Sequence, residues 1–180
     1  MAWLRAAKVS GVIIGGVAAS LLGRPRVTRD VDVLVFLESE AWADFLSLGA
    51  RFGFKPRRPD ATQFAHRVHV LLVHHQPSRV DVDIVFGSLP FEKELVARAK
   101  WINIGGVRIP LPLPEDLIVM KAVAHRPRDM ADIESVLDAH PKLNIRRILR
   151  WAREFSSALD MPEILSDLED ILARRRKKKA

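Results

Sequence analysis

Four aspartates have the types and spacing to do chemistry. Asp30 and Asp32 lie in "TRDVDVLVF", and Asp81 and Asp83 lie in "RVDVDIVFG". On an extended strand, residues two apart point to one face, separated by roughly 7 Å along the strand. Each pair therefore shares a face. Val31, Val33 and Val35 turn away from the first pair, and Val80, Val82, Ile84 and Phe86 turn away from the second. Beyond Asp32, Leu34 and Phe36 join the acidic face, so only the head of that strand is polar. Carboxylates gathered this closely repel one another unless a cation sits among them. A hard-oxygen cluster of this kind suits Mg²⁺ or Mn²⁺ together with substrate phosphates and water. One Asp-x-Asp is common on exposed strands; two of them, each backed by an apolar face, specify more.

Upstream, Gly15-Gly16 follows the apolar run "VSGVII" and precedes "VAASLL". Glycine lets backbone approach a ligand closely, and a helix start offers free N–H groups to an anion. Alone, the pair is an ordinary tight turn. Between a strand and a helix that leads on to Asp30 and Asp32, it reads as a cradle for the terminal phosphates of a nucleotide. Of the nearby cations, Arg26 is the one placed to touch phosphate, and Arg24 and Arg29 read as solvated. Lys121 stands in the apolar helical segment "LIVMKAVA". Its ammonium must reach water by snorkelling or find an anion. Asp129 and Asp132, three apart on the next helix, share a face. They are accessory residues with three open roles: orienting Lys121 or Arg126, contacting an acceptor, or capping and pairing near the helix start. The six histidines lack tight metal-ligand spacing, and His74-His75 reads as surface. The tryptophans at 3, 42, 101 and 151 are scattered, so core packing is expected of them.

The stretch "GGVAASLLGRPRVTRDVDVLV" resembles the signature of the DNA polymerase beta-like nucleotidyltransferase superfamily. In that superfamily a Gly-Gly or Gly-Ser turn precedes an Asp-x-Asp pair, and a later strand supplies a third carboxylate. The resemblance implies Asp30, Asp32 and Asp83 as catalytic and metal-binding residues, with Asp81 competing for the third place. Downstream, "PLPEDLIVMKAVAHRPRDMADIESVL" is similar to a block in small bacterial abortive-infection (AbiEii-type) nucleotidyltransferase toxins. That likeness implies that Lys121 joins Gly15, Gly16 and Arg26 in binding nucleotide, and it places Asp132 nearer the family position than Asp129. It also implies an NTP substrate, Mg²⁺ or Mn²⁺, RNA or tRNA as an acceptor, and an antitoxin partner.

Elements must position these residues. The pattern predicts a short helix over 2–8, a strand over 9–14, a helix over 17–22 and a strand over 31–37. A helix follows around Trp42–Leu48, and then the Pro-rich loop "KPRRPDAT". Apolar runs at 66–73 and 79–86 around "HHQPS" predict a hairpin, and "WINIGGVRIPLP" predicts a strand pair after a helix near 91–99. From Pro114 the pattern is helical, over 115–125, 129–139, 145–155 and 162–174. The expected fold is α+β: a mixed, mainly antiparallel nucleotidyltransferase-type sheet with helices packed on it, followed by a helical C-terminal half. The expected division is a core at 1–112, a helical region at 113–173 and a basic tail at 174–180.

Composition bounds the remainder. With 180 residues, 48% of them hydrophobic, the chain can build a real core and is not globally disordered. No cysteine is present, which excludes disulfides and thiolate metal sites and fits a reducing cytoplasm. No apolar run is long enough for a membrane span, so no membrane partner is expected. The net charge is +7, of which "RRRKKK" at 174–179 carries six, leaving about +1 for the rest. The tail reads either as a frayed, solvated terminus or as a lure for RNA. Three functions compete: metal-dependent nucleotidyl transfer, a catalytically inactive module that binds nucleotide or a partner, and a basic RNA-binding protein with decorative acids.

Overall fold

The computed structural model describes residues 1–179 and divides the chain into two compact units. The first comprises Met1–Ala18 and Val27–Pro112; the second comprises Ala19–Arg26 and the chain from Leu113 onward.

The first unit is built on a five-stranded sheet in the order β1-β2-β5-β4-β3. Its strands are β1 (Gly11–Ile14), β2 (Asp30–Val35), β3 (Phe54–Pro56), β4 (Val70–His75) and β5 (Val80–Phe86). Every pairing is antiparallel except that of β2 with β5. The sheet is therefore mixed and mainly antiparallel, as expected. Consecutive residues Val33, Leu34 and Val35 are all buried, so both faces of β2 are covered at its far end. At its head Asp30 is exposed and Asp32 half-buried. A strand with this profile is held by its apolar end and offers its acidic end to solvent.

Helices α1 (Ala2–Ala6), α3 (Trp42–Ala50), α4 (Ala61–Val68) and α5 (Pro90–Arg98) accompany the sheet. Trp3 donates its indole N–H to the Phe45 carbonyl at 3.0 Å and stacks on the Phe45 ring. Trp42 stacks on Phe86 with ring centroids 3.9 Å apart. Both tryptophans are core, as expected. Trp101 is not: it is 53% exposed on the separate hairpin of β6 (Lys100–Ile104) and β7 (Val107–Leu111).

The predicted strand over 66–73 needs correction, because residues 66–68 finish α4. Ala61 and Ala65, one helical turn apart, bury a small-residue face. His69 then takes a left-handed conformation (φ +57°), and its N–H bonds the Ala65 carbonyl at 2.7 Å. That C-terminal cap stops the helix and lets β4 begin one residue later. The hairpin turn accordingly falls at 76–79, and His74 and His75 belong to β4 itself.

The second unit contains α6 (Pro114–Ala124), α7 (Pro127–Ala139), α8 (Ile145–Leu159) and α9 (Glu163–Lys179), together with the end of α2 (Gly15–Leu22). Leu117, Ile118, Val119, Ile133, Val136 and Ile148 are almost wholly buried there. Asn144 caps α8 by accepting the Arg147 N–H at 3.0 Å. The basic run does not begin as a frayed end, since α9 continues through it. Arg174 meets Glu134, and Arg175 donates to the His140 carbonyl, each at 3.1 Å. Ala180, the last residue of the expected tail, lies outside the described residues. Among the described residues no helix is long and apolar enough to cross a membrane.

Candidate functional site

β2 and β5 run parallel with Asp30 opposite Asp81 and Asp32 opposite Asp83. Neighbouring residues in a parallel pair point to the same face, and adjacent strands lie about 4.8 Å apart. All four carboxylates therefore rise from one small patch at the head of two strands. On the other side of β2, Ile14 of β1 pairs with Asp32. The next residue, Gly15, opens α2 with φ +62°. A Cβ on Gly15 would lie 1.8 Å from an Asp32 carboxylate oxygen. Only glycine admits both that conformation and that contact. Gly16 follows as the second residue of the helix. Gly15 and Asp32 thus form one local assembly.

Two further side chains complete this face, and sequence reasoning passed over both. Arg57, just after β3, bridges the acids of β5: one guanidinium nitrogen lies 3.1 Å from Asp81 and the other bonds Asp83. His74 of β4 stands opposite Asp81 in register and shares a 2.6 Å hydrogen bond with it. His74 is thus a partner of the acid cluster rather than plain surface.

The electrostatics follow from this crowding. Burial pushes the Asp83 carboxyl above its ordinary value; Arg57 pulls it back, and Asp32, Asp30 and Asp81 push it further up. Asp81 shifts down, chiefly through its hydrogen bond with His74, with Arg57 helping against a burial penalty. Among the described residues no three Asp, Glu or His side chains stand arranged to hold a metal ion as they are. The donor set is nonetheless hard oxygen. Arg57 demonstrates that two of its members accept a cation, which is the property a divalent ion requires.

The other sequence-derived residues, Arg29 apart, belong to the second unit. Lys121 is buried, with its ammonium 2.7 Å from Asp129 and 2.8 Å from Asp132. It does not snorkel to water; it finds two anions. Arg26 grips Asp132 through two nitrogens, each at 2.8 Å. Arg126 reaches Asp129 at 2.6 Å, and Asp129 also accepts the Arg126 backbone N–H at the start of α7. Burial pushes both carboxyls up, but hydrogen bonds from the cations outweigh it: Arg126 and Lys121 on Asp129, Arg26 and Lys121 on Asp132. Both end below the ordinary value. Arg24, expected to be solvated, pairs at the surface with Asp138 at 2.8 Å. Arg29 is exposed.

Residues 1–166 match the model of a family described as nucleotidyl transferase of unknown function (DUF2204). No curated protein matches the sequence. Among solved structures, the chain is similar to an antigenic nucleotidyltransferase-like protein from Paracoccidioides brasiliensis, at 19% identity and TM-score 0.55. That match covers 90% of this chain and 86% of the other. It is also similar to the antibiotic-resistance factor ANT(2'')-Ia, at 15% identity and TM-score 0.57 over 90% of each chain. A third likeness is to the lincosamide antibiotic adenylyltransferase LnuA, at 15% identity and TM-score 0.51, covering 76% of this chain and 91% of that one. At such identities the likeness is one of fold.

Proposed function

The chain belongs to the nucleotidyl transferase family of unknown function DUF2204, and from that premise we propose that the acidic face of its sheet transfers a nucleoside monophosphate from an NTP to a hydroxyl acceptor. The observation that carries this reading is the register of Asp32 against Asp83 beside Gly15, whose missing Cβ makes room for the Asp32 carboxylate.

In the proposed reaction the acceptor oxygen bonds to the α-phosphorus, the bond from that phosphorus to the β-phosphate oxygen breaks, and pyrophosphate leaves. Asp83, whose raised pKa suits a base, takes the hydroxyl proton. The backbone N–H groups at the start of α2, from Gly15 and Gly16, receive the outer phosphates. A Mg²⁺ or Mn²⁺ ion held by Asp30, Asp32 and Asp83, with Asp81 accessory, would supply charge neutralisation at the phosphoryl oxygens. For Arg26 and Lys121 to serve as phosphate ligands they would have to release the aspartates that hold them now. In their present pairing, Asp129 and Asp132 orient those cations.

RNA is the acceptor class we favour, because the C-terminal run carries six of the seven net positive charges. A tRNA-directed toxin with an antitoxin partner, acting in the cytoplasm, is the fuller form of that reading. A small hydroxylated molecule is the second acceptor class; one fold relative was solved with adenylyl-2''-tobramycin. An inactive nucleotide-binding module is the alternative to catalysis. Incubation with each α-labelled NTP, Mg²⁺ or Mn²⁺ and total cellular RNA or protein tests all of these. Label on RNA together with released pyrophosphate is the expected result. Nucleotide binding with no pyrophosphate release under any condition would replace the enzyme by the inactive module.

A further inference from the structure

The hairpin of β6 and β7 is absent from this reaction scheme, yet it gathers three exposed large apolar side chains: Trp101, Ile104 and Val107. Residues 100–112, "KWINIGGVRIPLP", hold no carboxylate and carry Lys100 and Arg108. The register sets Trp101 opposite Pro110 and Asn103 opposite Arg108. Side chains alternate along each strand, so Trp101, Asn103 and Arg108 occupy one face. The Arg108 guanidinium lies 5.5 Å from the Trp101 ring centroid. Met1, which precedes α1, and Arg5 within it join Trp101, Gly106, Val107 and Arg108 around a cavity of about 680 Å³. Gly105 and Gly106 turn the hairpin with φ +57° and +84°, and nothing lies within 4 Å of where their Cβ atoms would be.

We propose that this face binds single-stranded nucleic acid, with a base stacked on Trp101 and the backbone phosphates held by Arg5 and Arg108. An exposed indole is a platform for any base, because every base has a π-face. The two guanidiniums supply phosphate contacts, and the Asn103 amide can donate to or accept from a base edge. Charge selects this occupant over a second copy of the chain. In a two-fold dimer the same cationic face would meet itself, with no carboxylate on the hairpin to answer Arg5 and Arg108. The binding site stands on the hairpin and Arg5 of α1, apart from the acidic face. Only its service as an acceptor site rests on the transfer reaction proposed above.

The test is fluorescence anisotropy of the full chain with labelled RNA and DNA 10-mers, without NTP or divalent ion. Trp101→Ala should weaken binding about tenfold, the order expected for one stacked base. Trp101→Phe should restore most of that loss. Arg5→Gln and Arg108→Gln should each weaken binding and lower the salt dependence by about one phosphate contact. Thermal melting checks that these surface variants remain folded. Equal affinity for DNA and RNA supports the site as a general single-strand platform. Unchanged affinity in Trp101→Ala overturns the proposal, as does self-association through the hairpin without oligonucleotide binding. Should the wild type bind RNA yet label nothing from NTP, the transfer reading fails while this one stands.

Discussion

At the scale of single residues, the acid pairs were visible in the sequence because strand periodicity is a local property. Asp30 with Asp32, and Asp81 with Asp83, need only a count of two. What answers their charge was not visible. Arg57 arrives from a Pro-rich loop, and His74 is set by the register between two strands. Neither carries a spacing signal. The residue that most limits the proposed reaction is Asp32, wedged against Gly15. Asp32→Asn should lower transfer by roughly 10²- to 10³-fold or more, with a melting temperature equal to or above the wild type because a repulsive charge is gone. Asp83 gives a prediction with a definite sign. Its folded pKa is raised, so the stability it contributes is complete below the ordinary carboxylate range and is lost as pH rises through the raised value. Asp83→Asn should therefore be more stable than wild type at neutral pH, with the difference closing on acidification. Chemical denaturation from about pH 3 to pH 8 measures both arms.

At the scale of elements, long periodic segments were legible, and short ones at the mercy of a cap were not. The four C-terminal helices follow from repeating apolar spacing. The extra length of α4 depends on His69 accepting a left-handed backbone, which apolar patterning does not encode. The tertiary pairing of β2 with β5 was likewise open in the sequence, which showed two acid-headed strands and not their register. The charged core of the helical unit makes its own prediction. Lys121 joins α6 to α7 by meeting two buried carboxylates. Breaking a buried ion pair from one side typically costs about 3–5 kcal/mol, because the remaining charge keeps its burial penalty. Lys121→Met should fall in that range or somewhat below it, since Arg26 and Arg126 still neutralise Asp132 and Asp129. Urea denaturation gives the value. Those aspartates titrate in the sense opposite to Asp83: their depressed pKa values contribute stability at neutral pH that is lost as pH falls through the folded values.

At the scale of the whole molecule, composition foretold a folded chain with nearly neutral character apart from its end. The concentration of charge in 174–179 belongs to a helix whose first two arginines already have partners. Deleting 174–180 should lower RNA affinity most at low salt and flatten the slope of log affinity against log salt. An unchanged slope would confine RNA binding to the hairpin. Fold class was readable from the order of strands and helices, whereas the membership of residues 19–26 depends on tertiary contacts that no local pattern encodes. These residues fold with the helices that follow Leu113.

That displaced octet has a practical corollary for anyone wishing to isolate the sheet. Leu22 offers its carbonyl to His140, Gly23 presses on Ser135 and Arg26 clasps Asp132. Severing the polypeptide after Pro112 would strip all three attachments at a stroke and leave the far end of α2 adrift. The shortened protein should aggregate or melt broadly in calorimetry, whereas supplying 113–180 in trans should restore a cooperative transition.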